Sequence, residues 1–200
     1  MSTTTKAMRT LSTRIVRNLR PPSDDEGVIP LIGEALTQTR GRPVRLRQAA
    51  FPPVTASGLW VDRTGHDLIV YEENTDPEHQ LVIIGHEAWH MFQGHCAPHH
   101  GPFASRSAQS ESAAALAEIV TALCEEDDAD RPLPEHMDAA LHFATRTDTR
   151  EAHEELDAEH FGFRFATDVQ TALQEARAPA GPLDLAGRIQ ASMAHRLSQS

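Results

Sequence analysis

The chain has 200 residues, of which few are aromatic and only two are cysteines. Aromatic residues make up 5% of the sequence, so the core is expected to consist mainly of aliphatic side chains and alanine. Cys96 and Cys124 do not make a disulfide framework and are expected to be free thiols. No apolar run reaches the length of a membrane span, and no apolar segment follows the N-terminus as in a secretory signal. These absences predict a cytoplasmic protein that does not contact a membrane.

The composition is that of an ordinary globular domain, with 40% hydrophobic and 24% charged residues. The net charge of −11 is unevenly spread. Residues 1–60 carry nine basic and four acidic side chains, which leaves a net −16 for the remainder. Such an acidic remainder argues against direct binding of nucleic acid through that region.

The first 20 residues form a basic segment with a regular apolar stripe. The stripe predicts an amphipathic helix whose apolar face is buried and whose opposite, basic face is exposed to solvent. The Ser/Thr-rich and acid-free composition is also typical of an organelle transit peptide, but the regular stripe favours the helix. The stripe consists of Met8, Leu11, Ile15 and Leu19.

The remaining pattern predicts an α+β fold, in which a small antiparallel sheet lies beside a helical majority. A domain over residues 21–176 is expected to follow the basic helix, and residues 177–200 to form a C-terminal helical extension. Loops are expected at 51–54 and 95–102. The predicted helices are 25–39, the helix after Asp76, 110–126, 134–145, 149–176 and 183–197, and the predicted strands are 42–48 and the hairpin 58–62 with 67–72.

Residues 86–90 read HExxH, a pattern typical of zinc peptidases. On a helix, His86 and His90 lie one turn apart, so both imidazoles can reach one ion. Glu87 then lies beside the ion, where its carboxylate can take a proton from water. Asp76-Pro77 predicts the start of this helix. The alternative is a core helix that carries two histidines in a purely structural role.

A catalytic zinc ion needs a third protein ligand, and the sequence offers more than one. The extended pattern HExxHxxGxxH is not met, because Gln93 and Cys96 stand at its last two positions. His95 points away from the ligand face of a continuous helix. His99 and His100 could fold back from the following loop.

The favoured third ligand is Glu155, on the helix predicted over residues 149–176. Glu155, Ala158 and Gly162 lie at i, i+3 and i+7 and therefore share one face. The two small residues would let this helix approach the HExxH helix closely. A solvated acid is the alternative, because this helix carries many acidic side chains.

Two segments together resemble the ImmA/IrrE family of metallopeptidase-like proteins. They are VIIGHEAWH at residues 82–90 and ELDAEHFG at residues 155–162. Residues 40–46 and the strand that begins Gly58-Leu-Trp look like an actinobacterial branch of that family. The similarity covers about residues 10–175. Gly162 stands where the family usually has alanine, and the bulky Trp89 is expected either to narrow the site or to pack in the core.

The resemblance implies a zincin-like fold with a gluzincin-like site. Zn²⁺ would be bound by His86, His90 and Glu155, with Glu87 as the general base. Members typically cleave or regulate a helix-turn-helix repressor encoded beside them, and some are labelled the toxin component of a toxin–antitoxin pair. The expected function is therefore a zinc endopeptidase with a DNA-binding regulator as substrate. The alternatives are a zinc-stabilised module that binds a regulator without cleaving it, and a fortuitous motif in a helical interaction protein.

Overall fold

The computed structural model describes residues 3–23, 26–52, 56–63, 65–94 and 149–177, together with single positions at 118, 121 and 122. In these residues the predicted α+β class with a helical majority is confirmed, with four helices and a three-stranded sheet. The predicted segments 95–102, 134–145 and 183–197 lie outside the described residues. The predicted helix 110–126 is described only at three positions, all helical. The elements are α1 (Thr3–Arg17), α2 (Val28–Arg40), β1 (Val44–Ala49), β2 (Gly58–Asp62), β3 (Asp67–Glu72), α3 (Pro77–Gln93) and α4 (Thr149–Arg177).

The sheet is mixed, so the prediction of an antiparallel sheet was wrong. Its strand order is β1-β3-β2. The predicted hairpin pairs β2 with β3 in antiparallel fashion, whereas β1 pairs with β3 in parallel, with Val44 opposite Asp67. The chain passes from β1 to the far edge of the sheet, and β3 then returns between the two strands. This partner choice brings together residues that no local sequence signal connects.

Alternation along the strands gives the sheet two apolar faces. Trp60, Ile69 and Tyr71 point into the main core with α3. The opposite face forms a smaller cluster of buried side chains. Its members are Leu59, Val61, Leu68 and Val70.

Helix α3 lies at the centre of the molecule, between the sheet and α4. Its side chains Ile83, Ile84 and Met91 are buried in the main core. From α4, the buried side chains Phe161 and Phe165 pack into the same core. The long helix therefore lies alongside the HExxH helix, as its predicted apolar pattern requires.

The basic N-terminal segment forms α1, and its predicted apolar stripe faces the core. Ile15 is 1% exposed, and Met8 and Leu11 are also buried. The hydroxyl of Ser12 donates to Asp168 of α4 at 2.6 Å. Helix α1 thus packs on α4 within the same core cluster. The division of the chain at residue 20 stays a prediction.

Helix α2 begins at Val28 rather than at residue 25, with Pro30 in its first turn. A proline there costs no hydrogen bond, because the first N–H groups of a helix have no partner within the helix. The helix ends as predicted at Gly41, which adopts φ 78°. Within the described residues, no helix has both the length and the apolar character needed to cross a membrane.

Candidate metal site

The HExxH motif occupies the last two turns of α3. The helix begins at Pro77 and ends before Gly94, whose φ of 69° and N–H bond to the carbonyl of His90 terminate it. His86 and His90 lie on one face, with their Nε2 atoms 3.1 Å apart. Both imidazoles therefore direct the same nitrogen to one point beside the helix.

Helix α4 approaches this face closely because glycines stand at the contact. A Cβ atom on Gly162 would lie 2.6 Å from the carbonyl oxygen of Val82, and one on Gly85 would lie 2.8 Å from Phe165. Ala158 is fully buried in the same contact. The small face predicted for α4 is thus the face that meets α3.

This approach brings the carboxylate of Glu155 to both imidazoles. Its Oε2 lies 3.4 Å from Nε2 of His86, and its Oε1 lies 3.4 Å from Nε2 of His90. Metal–ligand bonds of about 2.0–2.1 Å in tetrahedral geometry place ligand atoms about 3.3 Å apart, close to these separations. Within the described part of the chain, these three residues are the one group with the donor atoms and spacing to hold a metal ion.

The other candidate ligands lie outside the described residues. They are His95, His99 and His100, with Cys96 at the last position of the extended pattern. The structure therefore places Glu155 at the two histidines and leaves the loop alternatives as predictions.

Glu87 lies beside this triad but faces the sheet. It is 7% exposed, on the same side of α3 as Ile83, and both approach Gly58 of β2. The pKa of Glu87 is raised to about 7, chiefly by burial; His86 lowers it, Glu155 raises it and a hydrogen bond from the backbone N–H of Trp60 lowers it. A bound dication would favour the charged carboxylate and reverse much of this shift.

The electrostatics of His86 reflect the acids around it. Burial lowers its pKa, but the hydrogen bond with Glu155 and the charges of Glu87, Glu155 and Glu159 outweigh this, so the pKa of His86 is raised. Negative charge gathered around two imidazoles is the field that attracts a cation. The residues present therefore fit a divalent metal ion.

Trp89 packs in the core and does not narrow the site. It is 3% exposed, and its ring lies 5.0 Å from that of Phe161. Of the two positions expected for Trp89, the structure therefore shows the one in the core. Tyr71 of β3 is also buried in the main core.

The sequence did not predict that Asp67, at the start of β3, is a buried carboxylate. Asp67 is fully buried and accepts hydrogen bonds from Trp60 Nε1 and Arg40 Nε, both at 3.0 Å. Nε of Arg42 lies 3.4 Å from the same carboxylate. An aspartate at the start of a strand gives no local signal of such pairing, because its partners come from the end of α2, the loop after it and β2.

Sequence reasoning also missed the role of Gly58. A glycine inside a strand indicates a close approach by another group, and this signal was present at the first residue of β2. The group that approaches is Glu87.

Comparison of the chain with models of protein families, with curated proteins and with solved structures found no match.

Proposed function

We propose that the protein is a zinc-dependent endopeptidase that cleaves one specific protein partner. One observation carries this proposal: a buried carboxylate, Glu87, lies next to a group of two imidazoles and one carboxylate that can hold a metal ion. A purely structural metal site has no need of such an additional acid. The zincin-like fold and the likeness to the ImmA/IrrE family belong to the same proposal.

Zinc is the metal that this ligand set favours for hydrolysis. Two histidines and a glutamate leave a fourth position open, as in hydrolytic zinc sites. Two imidazoles and one carboxylate also suit Fe²⁺, so the metal has to be identified by elemental analysis. The HExxH spacing on a helix supports zinc.

The mechanism follows from the positions of the side chains. When bound, the ion acts as a Lewis acid that polarises a carbonyl oxygen and acidifies water. Glu87 accepts the proton of the attacking water and passes it to the nitrogen of the leaving amine.

The sheet offers a place for the substrate backbone. Among the described strands, β2 lies at the edge of the sheet and runs past Glu87, so a substrate peptide bound alongside β2, without strand pairing at Gly58 and Trp60, would bring a peptide bond near the triad.

The partner is proposed to be a helix-turn-helix transcriptional regulator encoded beside the gene, as part of regulatory proteolysis or a toxin–antitoxin system. The family resemblance suggests this class. The charge of the chain supports it, since DNA-binding regulators are basic where they contact DNA and this chain carries −11. We propose neither direct binding of nucleic acid nor contact with a membrane. The proposed location of the protein is the cytoplasm.

A second candidate is a zinc-stabilised module that binds the regulator without cleaving it. The metal ligands come from two core helices, α3 and α4, so an ion there would also join these helices and stabilise the fold. Such a role requires the three ligands but not Glu87.

Metal analysis of untagged protein, purified without chelators, is the first test. Wild type is expected to contain about one zinc per chain, and neither His86→Ala nor His90→Ala is expected to retain it, because a site that loses one of three ligands binds weakly. Metal-free wild type would contradict both candidates, and iron in place of zinc would contradict the proposed metal.

The Glu87→Gln variant separates the two candidates. Glutamine is similar in size but cannot take up the proton, and general-base catalysis contributes about 10²–10⁴-fold in rate. The regulator is mixed with each protein and its intact mass is followed. Cleavage by wild type alone supports the peptidase, whereas binding by both without cleavage supports the module.

A further inference from the structure

Strand β2 turns part of its backbone away from the sheet and towards α3. The N–H of Glu72 donates to the carbonyl of Ser57 at 2.8 Å, and the N–H of Arg63 donates to the carbonyl of His66 at 3.0 Å. In an antiparallel pair this pattern leaves every second residue of β2 without hydrogen bonds to β3. The backbone groups of Gly58 and Trp60 therefore point away from β3, on the side where Glu87 lies.

Both of these residues contact the carboxyl group of Glu87. The backbone N–H of Trp60 donates a hydrogen bond to it. At Gly58 a Cβ atom would lie 2.8 Å from Oε1 of Glu87 and 2.5 Å from a methyl group of Ile83. The missing side chain at position 58 thus leaves the space that the carboxylate occupies.

Trp60 is itself held in place by a buried ion pair. Its indole N–H donates to Asp67, which is fully buried and is bound in turn by Arg40. Buried, charge-assisted hydrogen bonds of this kind restrict the position of the groups that they join. The backbone N–H that meets Glu87 therefore belongs to a residue whose own side chain is buried and hydrogen-bonded.

We propose that Gly58 and Trp60 are positioning residues, which together hold the carboxylate of Glu87 in one position beside the metal triad. A single amide donor occupies one acceptor site of the carboxylate and leaves the others available for a proton. The consequence for catalysis rests on the proposed function, whereas the contact of Gly58 and Trp60 with Glu87 does not depend on it.

The hairpin offers a matched pair of variants to test this. Gly58→Ala adds a methyl group against Glu87, whereas Gly65→Ala adds one in the exposed turn of the same hairpin, where no atom lies within 4 Å. Both variants are expected to bind one zinc per chain and, with Co²⁺ instead, to give the visible spectrum of wild type. Gly58→Ala is expected to cleave the regulator about 10²-fold more slowly, since small misplacements of a catalytic group have effects of this size. Gly65→Ala is expected to cleave at the wild-type rate, and equal rates for the two variants would overturn the proposal.

Nuclear magnetic resonance tests the contact without metal, substrate or a change at position 58. The chain contains two tryptophans, so selective ¹⁵N labelling gives two backbone amide signals, and Trp60→Phe identifies that of Trp60. In Glu87→Ala the amide proton of Trp60 is expected to move upfield, because its hydrogen bond to the carboxylate is lost. Glu87→Gln, which keeps an acceptor oxygen, is expected to cause a smaller shift. An unchanged Trp60 signal in Glu87→Ala overturns the proposal.

The two experiments separate failure of this inference from failure of the proposed function. If the Trp60 signal responds but wild type neither holds zinc nor cleaves the regulator, the positioning of Glu87 stands and the peptidase does not. If wild type cleaves and Gly58→Ala cleaves equally fast with the same metal content, the peptidase stands and the positioning role of β2 does not.

Discussion

Glu155 reaches the two histidines from a different helix, and each of its carboxylate oxygens faces one imidazole. Each oxygen lies 3.4 Å from one imidazole nitrogen. Among the described acidic residues of α4, Glu155 alone has a carboxylate oxygen close enough to both imidazoles to share an ion with them. At the scale of single residues, the direction of the side chain distinguishes a metal ligand from the surface acids around it.

Replacing Glu155 with alanine is therefore expected to weaken zinc binding strongly, because the site loses one of its three ligands. Glu154→Ala and Glu159→Ala are the matched controls, and each should keep one zinc per chain. Zinc content after dialysis measures the difference. Loss of zinc in His99→Ala or His100→Ala, with none in Glu155→Ala, would show that the third ligand was assigned wrongly.

Zinc affinity is also expected to fall at acid pH. Zinc binds neutral imidazole, so a proton on His86 competes with the metal. Because the pKa of His86 is raised above 6.5, this competition begins at a higher pH than for an ordinary histidine. Affinity should be full above that pKa and fall by about tenfold for each pH unit below it, if one proton is displaced.

Titration with zinc in the presence of a competing chelator, from about pH 8 to about pH 6, measures this dependence. Glu159→Gln removes one of the charges that raise the pKa of His86 and leaves the three ligands in place, so in that variant the fall should begin at a lower pH. An affinity independent of pH over this range would contradict the assignment of His86 as a ligand.

At the scale of elements, the contact between α3 and α4 decides whether the site forms. The two helices meet at Gly85 and Gly162, and the atom that a Cβ at Gly162 would meet first is the backbone carbonyl oxygen of Val82 in α3. Backbone atoms cannot move aside as a flexible side chain can. The spacing of the helices, and with it the reach of Glu155, depends on the absence of these two side chains.

The variant Gly162→Ala tests this spacing with a change that normally stabilises a helix. Alanine in place of glycine usually adds about 1 kcal/mol of helix stability. Here overpacking is expected to reverse the sign and reduce the free energy of unfolding by about 1–3 kcal/mol. Denaturant unfolding measures it, with Thr167→Ala on the exposed face of the same helix as the control. A gain in stability would mean that the helices do not meet at this glycine.

At the scale of the whole molecule, α1 belongs to the same core as the helices of the site. Ile15 is 1% exposed and lies in the main core cluster with α3 and α4. A basic segment that served only as a surface appendage would not bury these side chains. The stability of the site helices is therefore expected to depend on the first 20 residues.

Ile15→Ala is expected to reduce the free energy of unfolding by about 2–5 kcal/mol, because the lost methylene groups leave a cavity in the core. The exposed Thr5 provides the control, and Thr5→Ala should change stability by less than about 0.5 kcal/mol. Thermal or denaturant unfolding measures both variants. Equal stability of the two would show that α1 does not contribute to the core and that a division at residue 20 describes the protein better.

Local sequence was sufficient to predict the elements that carry the site. Periodicity and end signals predicted α3, α4 and the hairpin, because helix and strand patterns depend on neighbours a few residues away. The HExxH spacing predicted that His86 and His90 share a face. The small residues Ala158 and Gly162, three and seven positions after Glu155, even predicted which face of α4 approaches α3, since close packing requires the absence of large side chains.

How these elements combine depends on packing between distant parts of the chain. The parallel pairing of β1 with β3, the buried cluster around Asp67 and the contact of Gly58 and Trp60 with Glu87 all join residues from different elements. Each depends on distances across the fold, and local sequence patterns do not specify which distant residues will meet. The ligand triad lies between these cases: its members were predicted one by one, but their meeting within 4.8 Å is a property of the packed helices.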